Sequence, residues 1–594
     1  MIIQDILFPQ RDICNEWGLY YRVEHSVEFD EDSQKLMFRA GGKASFNTFF
    51  NFFSNQVYCQ YTTVRDIALV LKLHGTFRLD IELYSFSDGK VKKSIVSTAT
   101  VTASGIVEFP VGRTDKIGKY SFTLTALEDH CEFFGGAYQS SMQECNPIKL
   151  AMSICTYHRE DYLIANIERL RQYIIDEPNS PLHEKLYIFI VDNGRTLKGR
   201  IEQNRFVRCF EQGDYGASGG FGRGMHEIQK IAEEEKITNI ILSDDDIILD
   251  HRVLLRTYRL LTLLKEEYKS SILASGNMNA QERYRQVEFG GIWNNGHPKM
   301  QNPGFDLRKI SAVLTNDIPE KSEYAGWWFA CIPTQAVKEV GLPMPFFMKR
   351  DDQEYSLRMR KEIIRINGIC VWHMPYDAKY GSYLKYYLLR NYLIIQAVYT
   401  PQFRGRQAVR YIWDIIKRDF FLYRYREMDI TLDAAREFLL GYLKFKDTLL
   451  GRNEEDFLNQ LISRGYHLTK VSNLPAVFQE SGIMRTREIE RDAILKKKSL
   501  WWGLLKNKNS VACGQAFYLS PYAAYGAKQI LNLDATLSKG FWTKRSLPKG
   551  LLRLFRFWVL SIQIRLKFGW CARSYKEHCA ELTQWNFWQE YMHL

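Results

Sequence analysis

The segment Ile240-Ile241-Leu242-Ser243-Asp244-Asp245-Asp246 constrains this chain more than any other. Its apolar run reads as a buried strand, and the strand ends in three consecutive carboxylates. Packing three like charges at a strand's end stabilises no fold, because repulsion and desolvation both oppose it. A divalent cation reverses that balance, since hard cations take carboxylate oxygens and often carry a substrate's phosphates as well. Side chains alternate along an extended segment, so Asp244 and Asp246 share a face and Asp245 does not. The competing reading is an acidic turn closing a strand. The surrounding chain decides between them.

From Lys149 onward, strands and helices alternate. Leu150 to Cys155 reads as a buried strand ending at Thr156-Tyr157-His158-Arg159. An amphipathic helix follows, with Leu163, Ile167, Leu170 and Ile174 on one face. Leu186 to Val191 is the next strand, ending at Asp192. Such alternation predicts a parallel sheet whose ligands sit beyond the carboxyl ends of its strands. Arg159, Asp192 and the aspartate cluster all fall at such ends, so one crevice can collect them. Between two of these strands the glycine-rich run Gly213 to Gly224 fits neither a dinucleotide nor a P-loop spacing. It reads as a flexible loop or a ligand loop, and its glycines permit close approach to a ligand or an adjacent strand. Further on, Arg350-Asp351-Asp352-Gln353-Glu354 opens a helix, where acidic residues suit the macrodipole. Adjacent helical residues point about 100° apart, so at most one of Asp351 and Asp352 faces a given substrate atom. Gly368 to His373 is a strand ending in histidine, a residue more often structural than a ligand when alone.

Before Lys149 the texture is β-rich. Ile67–Leu73, Phe77–Leu83 and Tyr120–Leu124 are short, alternating and β-branched or aromatic, and Ser87-Asp88-Gly89 signals a turn. A sandwich is expected. The aromatic cluster Phe46 to Phe53 reads as core in preference to a sugar-stacking surface.

Charge separates the last part of the chain from the rest. From Arg491 to Leu594 there are 17 Lys and Arg against 5 Asp and Glu, a surplus equal to the whole chain's net charge of +12. The basicity therefore points to an anionic partner for the tail. Lys496-Lys497-Lys498 precede Trp501-Trp502, and Lys549, Arg553, Arg556, Gln563 and Lys567 fall near one helical face among Leu, Phe, Ile and Trp, with Arg565 breaking the pattern. Such segments lie in an anionic membrane interface or pack as a basic-faced helix on the protein. Eleven cysteines, scattered without a C-x-x-C pair, argue against a disulfide framework or zinc cluster and for a reducing cytosol. No signal peptide and no spanning segment is legible. The expectation is a cytoplasmic protein, peripheral on the inner face of the plasma membrane, with no nucleic-acid partner.

The ordered set Asp244-Asp245-Asp246, Trp327-Trp328, Arg350-Asp351-Asp352-x-Glu354, Trp372-His373 and Tyr386-Tyr387-x-x-Arg390-Asn391 resembles the bacterial galactofuranosyltransferases, the mycobacterial galactan-polymerising kind among them. The likeness spans 148–395, is looser at Phe46-Asn47 and Phe134-Gly135-Gly136, and is weakest in the tail. It implies an α/β GT-A catalytic domain with a Rossmann-like mixed sheet at 148–395, an N-terminal β-sandwich at 1–147 and a mostly helical region at 396–594. It implies transfer of galactofuranose from UDP-galactofuranose to a glycan hydroxyl, with a lipid-linked acceptor, and it leaves room for a homo-oligomer. By position, Asp244 would contact the ribose and metal region, while Asp246 and His373 would ligate Mn2+ or Mg2+. Asp352 would be the general base and Trp328 would line the acceptor site. Arg159 and the loop at Asp214 would hold the nucleotide, Glu288 a sugar hydroxyl, and Asp192, Asp245, Trp327 and Asp351 complete the substrate-contacting set. Two alternatives stay open: a GT-A transferase for another nucleotide sugar, and a non-catalytic glycan- or phospholipid-binding protein, which would show no metal-dependent UDP binding.

Overall fold

A computed structural model describes residues 1–142, 145–294, 296–374, 380–471, 500–505, 511–522 and 524–593. They form two compact units, the first being 1–213, 220–342 and 355–374, and the second 214–219, 343–354 and 375–594.

The first unit opens with β1 (Ile2–Asp5), β2 (Arg22–Val23), β3 (Val27–Asp30), β4 (Lys35–Phe38), β5 (Lys43–Ser45), β6 (Asp66–Ser87), β7 (Lys90–Arg113), β8 (Lys119–Ala126) and β9 (Cys131–Gln139). The two strands expected at Ile67–Leu73 and Phe77–Leu83 are one strand, β6, of 22 residues. Its first half pairs with β9 and its second half with β8, changing partner around Gly75. Gly75 has a φ of +99°, and a Cβ there would meet Cys131 Sγ at 2.6 Å. Only glycine lets the strand bend at this point without losing either ladder. The two arms so created, β8-β5-β2 and β9-β4-β3, are hydrogen-bonded as one sheet and meet through aromatic rings. Phe46 stacks on Phe122 at 4.3 Å and stands edge-on to Phe133 at 5.1 Å. The whole Phe46–Phe53 aromatic cluster is buried, as core.

The second sheet of this unit holds β10 (Leu150–Thr156), β11 (Leu186–Asp192), β12 (Val207–Glu211), β13 (Asn239–Asp244), β14 (Ile247–Ile248), β15 (Ile272–Asn279), β16 (Gln286–Glu288), β19 (Phe329–Pro333) and β20 (Ile363–His373); a separate hairpin pairs β17 (Gly291–Asn294) with β18 (His297–Met300). The strand order is β12-β11-β10-β13-β19-β15-β20-β14, with β16 beside β15. β12, β11, β10 and β13 run parallel and β19 antiparallel, so the sheet is mixed, as the resemblance implies. The chain leaves β10 toward β11 and returns on the other side at β13, so a topological switch lies between the carboxyl ends of β10 and β13. Both sheets share one hydrophobic core. The buried Arg256 guanidinium donates to the carbonyls of Asp5 and Phe50 at 3.2 and 2.8 Å, linking them further.

The glycine run is loop only at its start, and its later glycines make the close approach to an adjacent strand that the sequence allows. It enters a helix, Gly216–Ala232. A Cβ on Gly220 would lie 2.1 Å from Cys155 Sγ, and one on Gly224 would lie 2.0 Å from Ser153 Oγ. These glycines let the helix backbone settle against β10.

The second unit is mostly helical, as expected. It contains the helices Leu384–Tyr399, Gly405–Phe421, Tyr425–Phe438, Gly441–Gly451, Glu454–Arg464, Leu547–His578 and Trp585–Met592. A four-stranded sheet of β21 (Thr469–Lys470), β22 (Val511–Gln515), β23 (Gln529–Leu533) and β24 (Lys539–Lys544) interrupts them, which the sequence reading missed. No described helix is long and apolar enough to cross a membrane.

Candidate metal centre and transfer site

At the carboxyl end of β13 the chain turns at Asp245-Asp246 and re-enters the sheet as β14, whose Ile247 is the register partner of His373 on β20. Asn166 holds that turn, donating through Nδ2 to the Ile247 carbonyl at 2.8 Å. The register brings His373 Nε2 to 3.0 Å from Asp246 Oδ1 and 3.7 Å from Asp244 Oδ2. One ligand atom from each of Asp244, Asp246 and His373 falls within 4.8 Å of the other two. His373 Nδ1 lies 2.6 Å from the Met374 carbonyl. That acceptor fixes the Nδ1–H tautomer and leaves the Nε2 lone pair directed at the carboxylates, the arrangement a metal-ligating histidine requires. Two carboxylates and one imidazole suit a first-row divalent ion such as Mn2+, or Mg2+. The residues fit the group.

Asp245 stands apart from the triad, as the alternation predicts. It accepts the Tyr157 N–H at 3.3 Å and lies 3.7 Å from Arg159 Nη1. Burial raises its carboxyl above the usual range, against the pull of Arg159. Arg159, at the mouth of the Glu160–Leu170 helix, also pairs with Asp246. The arginine after β10 and the aspartates after β13 thus close on each other across the switch point.

Asp192 ends β11 but directs its carboxylate into its own loop. It accepts the backbone N–H groups of Gly194, Thr196 and Leu197 at 3.0, 2.7 and 2.7 Å, and it is fully buried. It shapes the loop beside Thr156, whose carbonyl takes the Asn193 N–H at 3.0 Å. Glu288 is buried where β16 pairs with β15, opposite Asn277. Trp327 packs between Phe221 and Tyr355, with ring centroids at 5.1 and 5.6 Å. Trp328 is half-buried, and its indole N–H donates to the Ser275 carbonyl at 3.3 Å.

The second unit carries the remaining candidates. Asp214 accepts the Gly216 N–H at 2.9 Å. Asp351 and Asp352 open the Asp351–Met359 helix, Asp351 buried and Asp352 partly exposed. Asp351 Oδ2 accepts from Ser218 Oγ at 3.1 Å, and Asp352 Oδ1 from the Gln353 N–H at 2.7 Å. Burial pushes the Asp351 carboxyl up to about 6. Burial, and after it the charge of Asp351, pushes Asp352 up to about 7. Two adjacent carboxyls held near neutrality are what general acid–base chemistry needs.

The turn presenting them is strained: Phe347, Lys349 and Arg350 have φ of +67°, +69° and +67°. The Tyr386-Tyr387-x-x-Arg390-Asn391 motif holds it in place. Asn391 Nδ2 donates to the carbonyls of Met348 and Lys349 at 3.0 and 2.8 Å, and Arg390 Nη2 to that of Phe346 at 2.8 Å. Arg350 Nε returns the contact to the Leu388 carbonyl at 3.1 Å. The sequence reading singled out this motif but assigned it no task. A buried Arg-Asn pair on a helix, with no acidic partner in sequence reach, was the available signal.

A carboxylate–imidazole triad at the switch point of a mixed sheet, with two adjacent carboxyls of raised pKa elsewhere in the chain, suits a glycosyltransferase, and known proteins bear out both that class and the resemblance. Residues 3–136 match the family described as Galactofuranosyltransferase 2 N-terminal. Galactofuranosyltransferase GlfT2 of Mycolicibacterium smegmatis is 26% identical over 472 residues, covering 73% of this chain and 68% of the relative. Its counterpart in Mycobacterium tuberculosis is 24% identical over 398 residues, covering 61% of this chain and 60% of the relative. Among solved structures, the mannosyltransferase PcManGT from Pyrobaculum calidifontis in complex with GDP-Man and Mn2+ aligns over 54% of this chain and 85% of its own at 9% identity. The TM-score of that alignment is 0.27.

Proposed function

We propose that this chain transfers galactofuranose from UDP-galactofuranose to a hydroxyl of a lipid-linked glycan, inverting the anomeric centre, in the synthesis of a cell-surface polysaccharide. The observation that carries the reading is the Asp244–Asp246–His373 donor set with its histidine tautomer already fixed, in a chain similar to proteins named galactofuranosyltransferase.

Asp244, Asp246 and His373 would hold Mn2+ or Mg2+, which when bound neutralises charge on a departing diphosphate. Arg159 adds a guanidinium suited to phosphate oxygens at the same crevice. Trp328 offers an apolar ring face to a sugar while leaving hydroxyls to polar neighbours. Asp352 takes the proton from the acceptor hydroxyl as that oxygen attacks the anomeric carbon opposite the leaving group. With its carboxyl raised to about 7, Asp352 is about half in the basic form at neutral pH and strong enough as a base to accept that proton. One displacement inverts configuration, so an α-linked donor yields a β-galactofuranoside. The basic, aromatic tail would hold the enzyme at the inner face of an anionic membrane, where a lipid-linked acceptor resides. Incubation with UDP-galactofuranose, a lipid-linked oligosaccharide and Mn2+, followed by linkage mapping, tests the proposal. A β-galactofuranoside product is expected. Transfer from another nucleotide sugar only, or no product with UDP bound, would overturn it.

A further inference from the structure

The second unit contains a groove that the transfer chemistry does not use. It has a volume of about 430 Å³ and is lined by Arg426, Asp429, Asp433 and Arg436 of the Tyr425–Phe438 helix, Arg464 of the Glu454–Arg464 helix and Arg556 of the Leu547–His578 helix. The four residues of the Tyr425–Phe438 helix recur at helical spacing, so they share one face. Each aspartate is bridged by two guanidinia. Asp433 meets Arg436 at 2.8 Å and also Arg464, while Asp429 meets Arg553 at 2.6 Å and Arg556 at 3.3 Å. Arg426 is tied to the Gly465 carbonyl at 2.9 Å. One carboxylate neutralises one of its two partners, so five guanidinia against two carboxylates leave a surplus of positive charge. The aspartates act as spacers that hold the forks in place before any ligand arrives, which lowers the entropy cost of binding.

Arg556 also borders an apolar stripe. On the same 32-residue helix, Leu552, Phe555, Trp558, Ile562 and Leu566 follow at intervals of three and four. They are 50%, 60%, 58%, 41% and 79% exposed. A continuous aromatic and aliphatic face left in water by a folded unit marks a contact surface, and cations beside it mark an interface with anionic headgroups.

We propose that this groove binds the phosphate of a membrane lipid, with the lipid's apolar part against the Leu552–Leu566 stripe. Arginine's planar fork takes two phosphate oxygens at once. A soluble phosphate would use the groove alone and leave the stripe in water. Only a lipid uses both. The Lys496–Lys498 triplet lies outside the described residues. Arg553 and Arg556, read from sequence as part of a basic helix face, are paired to Asp429. The proposal deepens the membrane part of the proposed function and is independent of which sugar is transferred.

The test uses the full chain and phosphatidylcholine vesicles with and without phosphatidylglycerol, together with titration by inorganic pyrophosphate. Wild type is expected to pellet with the phosphatidylglycerol vesicles. R436Q/R464Q/R556Q should weaken that binding by about a hundredfold, from about 1 kcal/mol per cation. R436K/R464K/R556K keeps the charge and loses the fork, so it should be several-fold weaker than wild type while melting normally. F555S/W558S/L566S should lose vesicles and keep pyrophosphate. Vesicle binding by wild type that the arginine variants leave intact would overturn the groove but not the membrane reading, and no vesicle binding at all would overturn both. Equal pyrophosphate and lipid affinity would make the groove a free-phosphate site, overturning the lipid. Loss of self-association in the stripe variant, with vesicles ignored by wild type, would assign the stripe to a second copy of the chain. Transfer to a lipid-free acceptor, which the groove variants should retain, separates failure here from failure of the transferase reading.

Discussion

His373 Nε2 lies 3.0 Å from Asp246 Oδ1 because Ile247, the residue after Asp246, pairs with His373 across the β14–β20 ladder. A backbone register, not a loop conformation, therefore sets the candidate metal centre. Strand ladders resist small displacements, so removing a ligand should empty the site without moving its neighbours. We expect Asp246→Ala and His373→Ala each to weaken Mn2+-dependent UDP binding by more than about 100-fold, beyond what losing a supporting partner of a ligand costs. Their far-UV spectra should match wild type. Calorimetric titration with UDP in Mn2+ checks this, and unchanged affinity in either variant would remove that residue from the ligand set.

Asp352→Asn should retain UDP binding and lose turnover by about 10²- to 10⁴-fold, the usual contribution of a general base. In wild type, kcat/KM should rise with pH through about 7, where Asp352 loses its proton. Asp351→Asn removes the like charge that helps raise Asp352, so it should move that rise to lower pH and reduce the rate much less. Equal loss in the two variants, or no pH shift, would place the base elsewhere.

The same pair makes a stability prediction of opposite sign to the usual carboxylate case. Both folded pKa values, about 6 and about 7, lie above the unfolded value of 3.8, so the native state holds protons that the unfolded chain releases. Their contribution is complete below about pH 4 and disappears as pH rises through about 7. Asp351→Asn should therefore melt above wild type at pH 8 and lose that advantage at pH 4. Thermal melts at the two pH values test the sign.

Asn391→Ala should strand the Met348 and Lys349 carbonyls beneath the strained turn. An unmet acceptor costs about 1–3 kcal/mol when buried, and these carbonyls are partly buried, so the melting temperature should fall by a few degrees. Because the turn carries Asp351 and Asp352, kcat should fall further than UDP affinity. Asn391→Asp, which keeps the shape and removes the donors, should not restore either.

Gly224→Ala should destabilise despite alanine's better helix propensity. The added methyl lands 2.0 Å from Ser153 Oγ, and overpacking of that kind costs about 1–3 kcal/mol. Adding Ser153→Ala removes the clashing oxygen and should recover part of the loss. A melt of the double variant no better than the single would refute the contact.

Much of the candidate site was legible because its signals are local. The period of two along a strand separated Asp245 from Asp244 and Asp246 before any tertiary contact was known. Strand–helix alternation placed Arg159, Asp192 and the aspartates at strand ends, and their order with Trp328, Asp352 and His373 carried the family likeness. The glycine run left more than one reading open, because glycine signals loop freedom and close packing alike. Only the contacts with Cys155 and Ser153 distinguish the two. Asp192 was placed at the crevice because it ends a strand, and what only the structure shows is that three N–H groups of its own loop take up its carboxylate.

The amino-acid sequence by itself determined the strand–helix alternation from Lys149 onward, the face on which the aspartates after β13 fall, and the excess of positive charge toward the chain's end, since all three follow from residue spacing and composition. Tertiary structure decided that β14 lies beside β20 and so brings His373 to Asp246. It also decided that Arg159 closes on Asp246, that Arg390 and Asn391 brace the turn before Asp351, and that Asp429 takes up Arg553 and Arg556. These are pairings between residues far apart in the chain, chosen by whichever packing buries the most apolar surface, and no local pattern encodes them.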